Sequence, residues 1–183
     1  EERRIIHGNI KAENFVFASN NSFLDIVLID FGHSTFMKDN QLNYDKIDSV
    51  PHRAPEVRNG EGFNHLSDSW SLGYLTYEML SGLRPTFDLD YHPIFYQDIF
   101  SDVSFQALNF IERLLSKDIS QRMSVKEALH HDFITKCSVQ SNNESLLLRP
   151  STDRWQNNIT CIILAGEGTE KRIGSGKVVA KAL

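Results

Sequence analysis

Two runs rich in β-branched and aromatic residues lie near the start of the chain, Phe15-Val16-Phe17 and Leu24-Asp25-Ile26-Val27-Leu28-Ile29. Between them, Ala18-Ser19-Asn20-Asn21-Ser22 has the small, polar composition of a turn, so the pattern predicts a β-hairpin. Such a hairpin sets Asn14 before its first strand and Asp30 after its second, at the same end. Ahead of it, charged residues 1–4 followed by Ile5-Ile6 read as the frayed end of a helix feeding a loop. Residues 33–53 are polar and irregular, the texture of a flexible surface segment.

From there the pattern turns helical. Residues 68–82 carry apolar side chains around most of a helix, which predicts a central, buried one. Ser67 or Asp68 can cap its start, and Gly82 stands where a glycine stop belongs. Residues 94–100 predict a short helix and 104–115 an amphipathic one. Residues 124–131 predict a further helix opened by a capping box of Ser124 and Glu127. After about residue 136 the texture changes. Residues 138–143 read as a polar linker, 159–164 as a strand, and 166–181 are rich in Gly and Lys, with no internal repeat anywhere.

Composition narrows the class. A chain of 183 residues with 40% hydrophobic and 23% charged residues suits one soluble domain with some extra. A formal net charge of −5 argues against nucleic acid or an anionic membrane as the main partner. The two cysteines, Cys137 and Cys161, are isolated and suggest neither a zinc site nor a disulfide framework; they fit a reducing, intracellular compartment, cytoplasmic or nuclear. No apolar run is long enough to span a bilayer, and no signal-peptide pattern opens the chain. The first residue is Glu rather than Met, so a piece of a longer protein is expected.

The candidate chemistry lies in Ile5-Ile6-His7-Gly8-Asn9-Ile10-Lys11-Ala12-Glu13-Asn14 and Ile29-Asp30-Phe31-Gly32. These stretches offer hard oxygen ligands for a divalent metal and a Lys charge for a phosphate. They resemble the catalytic loop, usually H-R-D-L-K-P-E-N, and the D-F-G of eukaryotic protein kinases. Four further stretches follow in that family's order: Ala54-Pro55-Glu56, Asp68-x-Trp70-Ser71-x-Gly73, Lys117-Asp118-Ile119-Ser120-Gln121-Arg122 and Leu129-His130-His131-Asp132-Phe133-Ile134. The chain is thus similar, over residues 5–134, to the C-terminal lobe of a serine/threonine protein kinase. The resemblance implies a mainly α fold with a small hairpin at the active-site edge over residues 1–136, then a linker and tail over 137–183.

By the same resemblance, Asp30 and Asn14 would hold magnesium, and Lys11 would face the transferred phosphoryl group of ATP. His7, Gly32, Asp68, Glu56 and Arg122 take structural positions, the last two as a buried ion pair anchoring the segment after the activation loop. Ser49 stands where serine/threonine-specific members carry Thr, or is an ordinary loop hydroxyl. Lys11-Ala12-Glu13-Asn14 also follows the serine/threonine pattern.

The departures matter as much. Asn9 occupies the position of the catalytic Asp, and an amide oxygen is too weakly basic to take a substrate proton. Gly8 replaces the Arg that binds a phosphorylated activation loop. Ala12 replaces a Pro without consequence. The Gly-rich loop, the V-A-I-K strand and the helix supplying its partner Glu are not found, and these belong to the N-terminal lobe. Gly174-Ser175-Gly176-Lys177 lacks the spacing of a phosphate loop and reads as a flexible basic tail. Asn157-Asn158-Ile159-Thr160-Cys161-Ile162-Ile163 resembles the D-N-x-T and terminal strand of metal-dependent serine/threonine phosphatases, with Asn157 in place of that family's metal-binding Asp.

The expected function is therefore that of a pseudokinase working by binding or scaffolding, with weak or absent Mg-ATP binding. The rival is a truncated part of an active kinase whose N-terminal lobe is missing from the chain. A protein partner, or that lobe, is expected to cover apolar surface around Ile5, Ile6, Phe17 and Phe31.

Overall fold

The computed structural model describes residues 5–19, 22–37, 42 and 50–138. Strand β1 (Ile5–Ile6) pairs antiparallel with β4 (Thr35–Phe36), Ile5 opposite Phe36 and Ile6 opposite Thr35. Strand β2 (Phe15–Ser19) pairs antiparallel with β3 (Ser22–Leu28), from Phe15 opposite Leu28 to Ser19 opposite Ser22. The hairpin of the sequence pattern is present, with a register shift between Phe17 and Ser19. The two isoleucines, however, do not end a helix. They run extended, as β-branched residues favour, and residues 35–36 supply the pairing strand that local reading cannot see. Ile6 is wholly buried, so it contributes no exposed apolar surface.

Helix α2 (Leu66–Ser81) forms the centre, and every residue from Ser67 to Tyr77 is buried. Neither Ser67 nor Asp68 caps it. The N-cap is His65, and Asn64 Oδ1 accepts the N–H of Leu66 at 2.8 Å. Ser67 and Asp68 lie inside the first turn, where stronger partners draw them away: the Ser67 hydroxyl donates to Glu56 Oε1 at 3.0 Å, and Asp68 turns toward β1. Most of the buried polar side chains of this helix find partners inside the protein, although Ser69 Oγ and Trp70 Nε1 have none among the described residues. Ser71 Oγ donates to the carbonyl of His52 (3.1 Å), Thr76 Oγ1 to that of Leu72 (2.8 Å) and Tyr77 Oη to that of Ile94 (2.7 Å). Gly82, at φ +71°, ends the helix as its position in the sequence indicates.

Before α2 comes the short α1 (Pro55–Asn59), unmarked by any periodicity in the sequence. After it, α3 (Gln97–Phe100) is shorter than the pattern suggests. Residues 93 and 94 are held extended instead, by a bridge from Phe87 to Pro93 and by the Ile94 N–H on Thr86 O at 2.9 Å. Helix α4 (Phe105–Leu114) is capped by Ser104 and buries Ala107, Phe110, Ile111 and Leu114. It approaches α2 at Gly73, where a Cβ would stand 2.7 Å from Leu114 Cβ, so only glycine allows this crossing without a shift. Helix α5 (Val125–Ala128) opens with the capping box of Ser124 and Glu127 but does not continue to residue 131. His131 instead starts α6 (Asp132–Ser138): its Nδ1 accepts the N–H of Phe133 at 3.2 Å, and its Nε2 lies 3.1 Å from Asn109 Oδ1. Among the described residues no helix is long and apolar enough to cross a membrane.

One ion pair joins distant parts of this frame. Arg122 Nη1 and Nη2 donate to Glu56 Oε1 (2.6 Å) and Oε2 (3.0 Å), Nη1 also to Leu66 O (3.1 Å), and Nε to Ser116 O (2.9 Å). Both side chains are buried, and the guanidinium lies 5.2 Å from the Trp70 ring. Replacing Arg122 by Met keeps the volume but leaves a buried carboxylate with the Ser67 hydroxyl as its remaining partner among the described residues. The expected loss is about 3–5 kcal/mol of unfolding free energy, measured by urea titration. A loss below about 1 kcal/mol, the scale of an exposed pair, would contradict it.

Candidate functional site

The site begins where β1 stops. The backbone N–H groups of His7 and Gly8 both donate to the Asp68 carboxylate, to Oδ2 at 2.7 Å and Oδ1 at 2.9 Å. A helix fixed in the core thereby fixes the loop. Gly8 takes φ +72°, and a Cβ there would meet His33 O at 2.9 Å, so the turn excludes a side chain by both conformation and space. In the sequence Gly8 reads as a missing Arg; in the structure it is also the residue that lets the turn close.

His7 ties the loop to the hairpin. Its Nδ1 accepts the N–H of Asn9 (3.3 Å), which leaves the proton on Nε2 to donate to Ile29 O (3.2 Å). Burial holds the imidazole below its usual range and so favours this neutral form. Phe31 meets the ring edge-on at 4.8 Å.

Asn9 and Asn14 are buried side by side. Asn14 Nδ2 donates to the carbonyl of Asn9 at 2.7 Å, and Asn14 O accepts the N–H of Ile29 at 2.8 Å. Asn9 Nδ2 in turn donates to Asp30 Oδ2 at 3.1 Å. Asp30 itself stands at φ +65° and accepts the N–H of Gly32 on Oδ1 at 3.3 Å. Gly32 keeps that contact open, since a Cβ there would lie 3.2 Å from the same oxygen. His7, Asn9, Asn14, Asp30 and Gly32 are thus brought together above Asp68. Lys11 is on the same loop, half-buried, and its charge reaches His52. Glu56 and Arg122 belong to the buried ion pair, which also engages Leu66 O and the Ser67 hydroxyl, and Ser49 lies outside the described residues, as do Cys161, Asn157 and the glycines near 174.

His52 gained no weight from the sequence, where it is one histidine in a polar segment. Burial, and then the positive charges of Arg53 and Lys11, lower it to about 4, so the ring is neutral near pH 7. Its Nε2 is buried without a hydrogen-bond partner among the described residues. The oxygens suited to a hard cation are the Asp30 carboxylate, one oxygen of which already accepts from Asn9, and the Asn14 amide oxygen. Among the described residues no group of three or more His, Cys, Asp or Glu could hold a metal.

Two tests follow from this turn. Gly8→Ala adds a methyl group at positive φ against the His33 carbonyl, and about 1–3 kcal/mol of stability should be lost in urea unfolding. An unchanged midpoint would show that the turn relaxes freely. The second concerns pH. Burial pushes the Asp68 carboxyl from 3.8 up to about 6, against the two backbone N–H groups that lower it. Between those values the folded chain holds a proton that the unfolded chain has released. Stability from this group is therefore complete below the lower value and is lost as pH rises through about 6. The stability of the native protein relative to Asp68→Asn should fall over that window and then level off. A difference independent of pH would contradict the assignment.

Comparison with known proteins agrees with this architecture. The family model for the protein kinase domain matches residues 2–134. CDPK-related kinase 3 from Arabidopsis thaliana is 34% identical over 140 residues, covering 71% of this chain and 23% of that protein. The calcium/calmodulin-dependent serine/threonine-protein kinase 1 of Oryza sativa subsp. japonica gives the same 34%, 71% and 23%. Among solved structures, the twitchin kinase region from C. elegans superposes with a TM-score of 0.63 at 30% identity, over 72% of this chain and 25% of that one. The chain spans about a quarter of the length of these relatives. Its helical lobe, its small hairpin and its matched residues are those of one family: the chain belongs to the eukaryotic protein kinase superfamily, with a kinase domain of the serine/threonine type.

Proposed function

We propose that this kinase domain works by binding a protein partner and is impaired in phosphoryl transfer. The observation that carries the reading is the direction of the Asn9 side chain. A carboxylate only accepts hydrogen bonds, so the Asn9 atom facing Asp30 is the amide nitrogen. The residue at the family's general-base position is therefore a donor toward Asp30, and its amide oxygen is too weakly basic to take the proton of a substrate hydroxyl. Exposed apolar side chains at this edge of the lobe, Val16, Phe17, Ile29, Phe31 and Phe36, favour a partner that covers them.

Three residues suited to Mg-ATP are kept, Lys11, Asn14 and Asp30. Magnesium binds through one or two carboxylates and keeps its remaining sites for water and phosphate. Asp30 and the Asn14 amide oxygen fit an ion that arrives with a nucleotide, and they do not enclose one alone. When bound, such an ion neutralises charge on the phosphates; Asp30 and Asn14 would orient it, and Lys11 would add a fixed positive charge. The retention of these three residues supports a second reading, that the chain is part of an active ATP-dependent serine/threonine kinase.

A transfer assay separates the two. With the Gly-rich lobe of a related serine/threonine kinase fused ahead of it, the chain should phosphorylate a peptide slowly. Asn9→Asp should raise that rate about 10²–10⁴-fold, the usual contribution of a general base. Equal rates in the fusion and its variant would show that the amide is not the defect and would favour the active kinase.

A further inference from the structure

Asp30 stands at φ +65°, a conformation that Asp enters more readily than most residues because its short side chain can hydrogen-bond locally. It is held by what its carboxylate receives. Oδ1 accepts the N–H of Gly32 at 3.3 Å and Oδ2 accepts the Asn9 amide N–H at 3.1 Å. The Gly32 bond is local, two residues away, and moves with the turn. The Asn9 bond reaches across 21 positions and comes from a buried residue that is itself fixed twice. Its backbone N–H is on His7 Nδ1, and its carbonyl takes the Asn14 amide at 2.7 Å. Asn9 is thus the rigid end of the contact, and Asp30 the end that needs holding.

An Asp at position 9 would reverse the chemistry of this contact. It offers no N–H, and it would bring a second negative charge to about the distance at which Asn9 now donates. Two carboxylates in that arrangement repel unless they share a proton or a cation lies between them. The amide removes the repulsion, and with it the need for a proton or a cation between the two groups. It also takes up a lone pair on Asp30 that a metal would use.

From this contact we infer that Asn9 is a positioning residue that stands in for a divalent cation: its amide N–H holds the Asp30 carboxylate, so the Asp30-Phe31-Gly32 turn keeps its shape without metal, and metal binding at Asp30 is weakened. The inference rests on Asp30 as the oxygen donor toward such an ion, as in the proposed function. It does not rest on whether the chain transfers phosphate.

The experiment uses the full 183-residue chain and the variants Asn9→Asp and Asn9→Ala, without nucleotide. Thermal midpoints are measured in EDTA and in millimolar magnesium, and amide hydrogen exchange is followed at residues 31–34. The native midpoint should be the same in both solutions. That of Asn9→Asp should drop in EDTA by at least about 2–4 °C and recover with magnesium. Asn9→Ala, which removes the donor and adds no charge, should speed exchange at residues 31–34 about tenfold or more. That arm still decides the matter if Asn9→Asp fails to fold in either solution. Unchanged exchange in Asn9→Ala, or a native midpoint that magnesium raises as much as the variant's, would overturn the inference. Neither result bears on the transfer assay, so the two proposals fail separately.

Discussion

The Asp68 carboxylate sits buried in the first turn of α2, with two backbone N–H groups from the His7–Gly8 turn directed onto it. Desolvation works against the charged form, as its raised pKa records, and the two N–H groups work in its favour. What the fold gains is position. α2 is buried from Ser67 to Tyr77, so whatever Asp68 grips is registered to the core. Gly8 gives the turn its shape, His7 carries the registration to Ile29, and Asn9 carries it to Asp30. A short loop between two small sheets would otherwise have little to fix it.

Much of the frame was legible because its signals are local. The hairpin follows from two β-rich runs around a polar turn, and α4 and α5 follow from apolar spacing and their Ser caps. Where the reading failed, the deciding partner lay far along the chain. Ile5 and Ile6 are strand because residues 35–36 pair with them. Ser67 and Asp68 look like caps until Glu56 and the His7–Gly8 turn claim their oxygens. Residues 93–94 leave α3 because Thr86 and Phe87 hold them extended.

The site divides in the same way. Motif order brought out His7, Asn9, Asn14, Asp30 and Asp68 as candidates, and the substitution at Asn9 was visible from sequence. That its amide would point its nitrogen at Asp30 was not, since the direction depends on which group lies opposite. Gly8 told only half its story, because a missing guanidinium is a fact of sequence and a carbonyl 2.9 Å from a hypothetical Cβ is a fact of packing. His52 gave no signal at all; its neutrality comes from burial and from the charges of Arg53 and Lys11 around it.

The bond between Arg122 and Glu56 spans 66 residues, and this has a consequence for how the lobe assembles. Helices such as α2 and α4 can begin from neighbouring residues, whereas a contact of such long range waits for most of the intervening chain to be ordered. During synthesis Glu56 leaves the ribosome well before its partner exists, at a time when burial would strand its charge. The segment from Ala54 to Asn59 must therefore stay in water until the loop before α5 has emerged. Closure of this pair waits on the chain up to Arg122.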